Sequence, residues 1–123
     1  MDPSDFEQLA EQLFHQVPEQ FRSAIDNVRI IVEDYPSDEL VTKMHLPSRH
    51  ALLGLYQGVA RPHRGTWYGT YPVMPDTITL FQKNLESISR DAASLEHNVF
   101  TTLVHELGHY FGMGEDEIRA LGY

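Results

Sequence analysis

Cysteine is absent from this chain of 123 residues, which excludes a disulfide framework and any thiolate metal site. A transition metal bound here would have only imidazole and carboxylate side chains to hold it. Basic residues are also scarce: 9 Lys and Arg stand against 18 Asp and Glu, a formal net charge of -9. Nucleic-acid backbone binding needs clustered positive charge, so it is not expected. The one local concentration, Arg61, His63 and Arg64 in a Gly- and Pro-rich segment, reads as a solvated loop. No apolar run approaches the about 20 residues of a membrane span. Met1-Asp2-Pro3-Ser4-Asp5 shows no basic region leading into an apolar one, so no secretory signal is expected. The expectation is a cytoplasmic chain with no nucleic-acid and no membrane partner. Repeats, low-complexity tracts and linkers are missing too, and a 41% hydrophobic content suits one domain spanning residues 1–123.

What is present divides into short elements. Asp2-Pro3 resembles a helix N-cap followed by proline at the first helical position, and Phe6, Leu9, Ala10, Leu13, Phe14 and Val17 recur at helical spacing. This predicts a helix from about Pro3 to Val17, with His15 at the surface. Pro18 opens a second short helix, Glu19 to Asp26, with Phe21, Ala24 and Ile25 turned inward. Val28 to Glu33 is rich in β-branched residues and predicts a central strand. Ser37 to Leu40 reads as a capped helical turn, and His45 and His50 lie in irregular sequence around Pro47. Leu52 to Gln57 predicts a second strand, ended by Gly58. Arg61 to Pro75, with Trp67, Tyr68 and Tyr71, reads as an ordered loop. Pro75-Asp76 supplies a turn into a third strand, Thr77 to Phe81, expected at the sheet edge, half exposed and able to accept an extended peptide. A short helix from Asn84 to Ser89 precedes a long one capped by Asp91 or Ser94 and running to about Phe111.

The long helix carries His105-Glu106-Leu107-Gly108-His109. Residues i and i+4 lie about 40° apart around a helix axis, one turn up, so two imidazoles so spaced can address one ion. Glu106, about 100° round from His105, is placed to lean toward a metal-bound water as general base without being a ligand. Projection puts Val99, Phe100, Leu103, Val104, Leu107, Tyr110 and Phe111 on the opposite side, between roughly 120° and 260° from His105. Thr101, Thr102 and Gly108 flank the histidines and are small enough to leave room above an ion. The polar stripe is therefore made of ligands, where a merely solvated face would carry Lys and Glu.

A catalytic zinc usually has three protein ligands. Glu115 lies six residues beyond His109, and His-Glu-x-x-His-x-x-Gly-x-x-Glu matches the metzincin spacing with a carboxylate in place of the last histidine. In a continuous helix Glu115 would point about 240° away from His109. Gly112 can take positive φ, end the helix and return the chain. Asp116, and after it Glu117, are the competing carboxylates, and a water or a remote residue is a further possibility. Met113 is too close to the ligands to form a separate methionine turn.

Three segments carry a wider resemblance: Leu53 to Gly58, Pro75 to Phe81, and His105 to Gly112, with the ending Ala120-Leu121-Gly122-Tyr123. In this order the chain resembles the short bacterial zincin-like metallopeptidase family from about Val28 onward. The resemblance implies an α+β fold with a small mixed sheet and an active-site helix with flanking helices. It also implies Zn2+ held by His105, His109 and an acidic residue at the position of Glu115. The activity so implied is a zinc-dependent metallopeptidase that hydrolyses peptide bonds in peptide or protein substrates. Its zinc-activated water would be deprotonated by Glu106. His63, Tyr68 and Tyr71 are candidates to stabilise the oxyanion. The alternative is a zincin-fold metal-binding or regulatory module with little or no proteolytic turnover.

Overall fold

The Asp2 side chain accepts a hydrogen bond from the Ser4 amide at 2.7 Å, and with Pro3 behind it this starts helix α1, Pro3–Phe14. The chain then tightens: the amides of Gln16 and Val17 donate three residues back, to Leu13 and Phe14, so α1 ends short of Val17 although Val17 is still buried. The computed structural model describes residues 1–22, 28–58 and 76–120, apart from the side chains of Gln20, Arg22, Tyr110 and Glu115. Within these limits follow α2 (Glu19–Arg22), β1 (Val28–Glu33), α3 (Asp38–Lys43, capped by the Ser37 hydroxyl), a 3-10 turn at Arg49–Ala51, β2 (Gly54–Gln57), β3 (Asp76–Phe81), α4 (Gln82–Ser87), α5 (Ala92–Tyr110) and α6 (Glu115–Ala120). The expected continuation of the second helix through Ala24 and Ile25 lies outside the described residues.

This is the expected α+β class with a small mixed sheet, but its strand order differs from the sequence reading. Among the described residues the sheet runs β1-β3-β2, with β1 parallel and β2 antiparallel to β3. The strand β1 is therefore a border strand, not the central one. The strand β3 is central and almost wholly buried, not a half-exposed edge. The misreading has a physical source: Thr77 and Thr79 give β3 an alternating pattern, yet Thr79 is covered as thoroughly as an apolar residue. Strand order depends on pairing between distant segments, which periodicity does not report.

Two faces follow from the register. Ile30, Ile78 and Leu80 point to one side and are buried against Phe6, Ala10 and Leu13 of α1 and Val99, Leu103, Val104 and Leu107 of α5. Each such side chain contributes about 1.5–3 kcal/mol when fully buried. Ile31, Thr79 and Leu55 point to the other side, where α3 lies beside them. Ahead of β2, Asn84 donates from Nδ2 to the carbonyls of Arg49 and Leu52, both at 2.8 Å. Those bonds tie α4 to the chain just ahead of β2, which starts at Gly54. Among the described residues no helix is long and apolar enough to cross a membrane.

Candidate metal centre

The helix α5 begins with a capping box: the Asp91 carboxylate accepts from the Ser94 amide at 2.8 Å and the Ser94 hydroxyl accepts from the Asp91 amide at 3.1 Å. Both residues proposed from sequence thus share the cap. From there Leu95, Val99, Leu103, Val104 and Leu107 form the buried stripe. His105 is half-buried and His109 exposed on the other side of the helix. Their ring centres are 6.4 Å apart with the planes at 77°.

Glu106 does more than stand beside the histidines. Its Oε1 accepts a hydrogen bond from the main-chain amide of Tyr56 at 3.0 Å. The Phe81 amide donates to the Leu53 carbonyl at 3.0 Å, and in an antiparallel pair the groups facing the partner alternate along the strand. Leu53, Leu55 and Gln57 therefore face β3, and the amide of Tyr56 points out from the far side of β2, where Glu106 meets it. The Tyr56 hydroxyl donates to Asp76 Oδ2 at 2.8 Å, and Asp76 is only 3% exposed. Sequence reasoning missed this pair. Pro75-Asp76 reads as a turn, and the only signal against that reading is a carboxylate at the first position of a strand that turns out to be buried.

The helix ends as Gly112 requires. Its φ is +76°, the amide of Gly112 donates to the His109 carbonyl and that of Met113 to the Gly108 carbonyl, both at 2.9 Å. These are the two bonds of a Schellman motif. An added Cβ at Gly112 would meet nothing within 4 Å, so the positive φ alone selects glycine. Gly112→Ala is expected to cost about 1 kcal/mol, a few degrees of Tm, with Gly112→Asn milder; thermal unfolding of both variants checks this. The reversed chain re-enters helix at once, with the Ile118 amide donating to the Gly114 carbonyl at 3.1 Å, and residue 115 is the first of α6.

Two of the small residues expected to leave space above an ion are occupied otherwise. A Cβ on Gly108 would lie 2.7 and 2.9 Å from Cδ1 and Cγ1 of Ile118, so Gly108 is where α6 docks on α5. Thr102 is buried with its Cγ2 against Gly54 of β2. Thr101 is half-buried. Phe111 closes the helix end by stacking on Phe21, ring centres 5.6 Å apart.

Zinc would find two imidazole donors of the right type one turn apart. An ion taking one nitrogen of each at about 2.0–2.1 Å in tetrahedral geometry would hold the ring centres about 5 Å apart, so a modest rotation of the two side chains is needed. Among the described residues no group of three or more His, Asp or Glu side chains is placed to hold an ion. Asp116 and Glu117 are exposed. His45, at positive φ after α3, and His50, edge-on to Tyr35, are not brought to His105 and His109. The Glu115 side chain lies outside the described residues, as do His63, Tyr68 and Tyr71 and the whole loop with Arg61, Arg64 and Trp67. The two imidazoles therefore suit zinc in kind.

A family model for zincin-like metallopeptidases matches residues 25–123. The solved structure of a conserved hypothetical protein from Thermo thermophilus is similar in fold, at 22% identity and a TM-score of 0.55, covering 89% of this chain and 92% of that one. No curated protein matches the chain significantly.

Proposed function

Since the chain belongs to the zincin-like metallopeptidase family, we propose that it is a zinc-dependent peptidase whose base is Glu106 and whose metal ligands are His105, His109 and Glu115. The observation that carries this reading is the position of Glu106. It follows His105 on α5 and accepts from the outward amide of β2, so its carboxylate is held at the border of the sheet, which supports a role for it next to an ion on the two imidazoles. A residue serving only to solvate the helix would not be tied to another strand by its carboxylate.

When bound, zinc supplies Lewis acidity and a nucleophilic water at neutral pH. His105 and His109 give neutral nitrogen donors, and Glu115 gives the anionic one. The turn at Gly112 and the docking of Ile118 on Gly108 support this third assignment: they bring the start of α6 back along α5, where a continued helix would carry residue 115 away. Glu106 takes the proton of the attacking water and delivers it to the leaving amine nitrogen. The Tyr56 amide holds Oε1 and so fixes the orientation of the carboxylate. A substrate peptide in extended form suits the border of β2, the strand nearest the base, rather than β3 as read from sequence.

Metal analysis of the purified protein and cleavage of a peptide library test the reading together. Stoichiometric zinc is expected in the wild type, and His109→Ala is expected to weaken zinc binding by more than the about 10–100-fold that outer-shell changes cost. Unchanged zinc content in His109→Ala would sink the site. Glu115→Gln weakening zinc more than Asp116→Asn supports Glu115 as the third donor, and the reverse order assigns Asp116. Zinc binding with no cleavage across the library would replace the peptidase reading by that of a metal-binding module.

A further inference from the structure

The bond between Glu106 and the Tyr56 amide joins a rigid helix to a short strand. The strand β2 has four residues and stands at the border of the sheet among the described residues, and short border strands are the segments that open most readily. If β2 moved, Glu106 would lose the contact that fixes it. The structure holds the strand at the same residue whose amide makes that contact. Tyr56 pairs with Ile78, which makes Asp76 its diagonal neighbour across the ladder, within reach of a long aromatic side chain. The hydroxyl spans that diagonal and donates to Asp76 Oδ2 at 2.8 Å.

Asp76 is an expensive way to anchor a strand. Burying a carboxylate is unfavourable unless it is hydrogen-bonded, and at 3% exposure it lies at the first position of the central strand, where a valine would serve the sheet better. Among the described residues, what the carboxylate provides and an apolar residue would not is a directional hold on the Tyr56 hydroxyl.

We infer that Tyr56 and Asp76 are positioning residues for Glu106: the carboxylate of Asp76 fixes the Tyr56 side chain, and thereby aims the main-chain amide that orients the Glu106 carboxylate. Neither residue contacts the reacting atoms; both act through the strand. The inference rests on the reading of Glu106 as base, but its structural half stands apart from turnover and is tested apart from it.

Two measurements decide it. In the metal-free protein, amide hydrogen exchange at position 56 is expected to be slow in the wild type and at least about tenfold faster in both Tyr56→Phe and Glu106→Ala, because either change releases the same amide. Asp76→Asn, which keeps an acceptor oxygen for the hydroxyl, is expected to retain most of the protection, and Asp76→Ala to lose it. In peptide cleavage, Tyr56→Phe is expected to lower kcat about tenfold or more with KM and zinc affinity within about twofold, as suits a misaimed base. Slow exchange at position 56 in Tyr56→Phe overturns the inference, whatever the activity. So does an unchanged kcat alongside a lowered Tm, which would make the pair a plain structural anchor. If the wild type cleaves nothing, the peptidase reading fails by itself, and fast exchange in Tyr56→Phe still establishes the hold on Glu106 while slow exchange removes it.

Discussion

Glu106→Gln is expected to reduce kcat/KM for the best peptide by about 10²–10⁴, a barrier increase of about 3–5 kcal/mol, with zinc content unchanged. The amide oxygen of glutamine can still accept from the Tyr56 main chain, now at 3.0 Å from the carboxylate, so the strand contact survives and only the basicity goes. Glu106→Ala removes both and is expected to be no less damaged in rate, with the Tyr56 amide released as well. Comparing the two variants separates proton transfer from positioning. Kinetics on one purified substrate, with zinc measured on the same samples, are sufficient. Cleavage by Glu106→Gln within about tenfold of wild type would show that another group is the base.

The second large effect is expected where α6 meets α5. Ile118 is fully buried and lies over the bare backbone of Gly108. Ile118→Ala is expected to cost about 2–5 kcal/mol, roughly 10 °C or more in Tm. Zinc affinity should fall with it, because α6 begins at residue 115 and is anchored by this contact. Gly108→Ala attacks the same contact from the other side. Its new methyl would stand 2.7 and 2.9 Å from Ile118 Cδ1 and Cγ1, closer than carbon atoms approach, and the expected cost is about 1–3 kcal/mol. Adding Ile118→Val removes Cδ1 but keeps a γ carbon at the Cγ1 position, so it is expected to restore only part of the stability lost in Gly108→Ala. Thermal unfolding and competitive zinc titration of the three variants provide the check. Gly108→Ala with unchanged Tm and zinc affinity would show that the helix contact does not set the site.

Local chemistry made much of this legible in the sequence. The Asp2-Pro3 start of α1, the Asp91 cap, the amphipathic stripe of α5 and the turn at Gly112 each depend on residues within one or two helical turns of each other, and each is where the pattern places it. Features that depend on distant pairing were not legible. Threonines at 77 and 79 make the central strand look like a border strand. Thr102 and Gly108 look like open space because smallness is equally consistent with a void and with close packing, and only the positions of Gly54 and Ile118 decide for packing. The Tyr56–Asp76–Glu106 connection joins three elements, and no spacing in the sequence announces it.

The strand order also governs how the chain fares while it is being made. The strand β3 is last of the three in sequence and lies between the other two, so among the described residues β1 and β2 have no strand partner until residues 76–81 leave the ribosome. At about 5–20 residues per second, the wait between residue 57 and residue 81 is roughly one to five seconds. Throughout it β1 and β2 lack the partner they have in the described sheet, and an unpaired strand is the usual template for association with a neighbour. Delivery of β3 closes that interval, and the helix with the metal-binding pattern follows after the short α4.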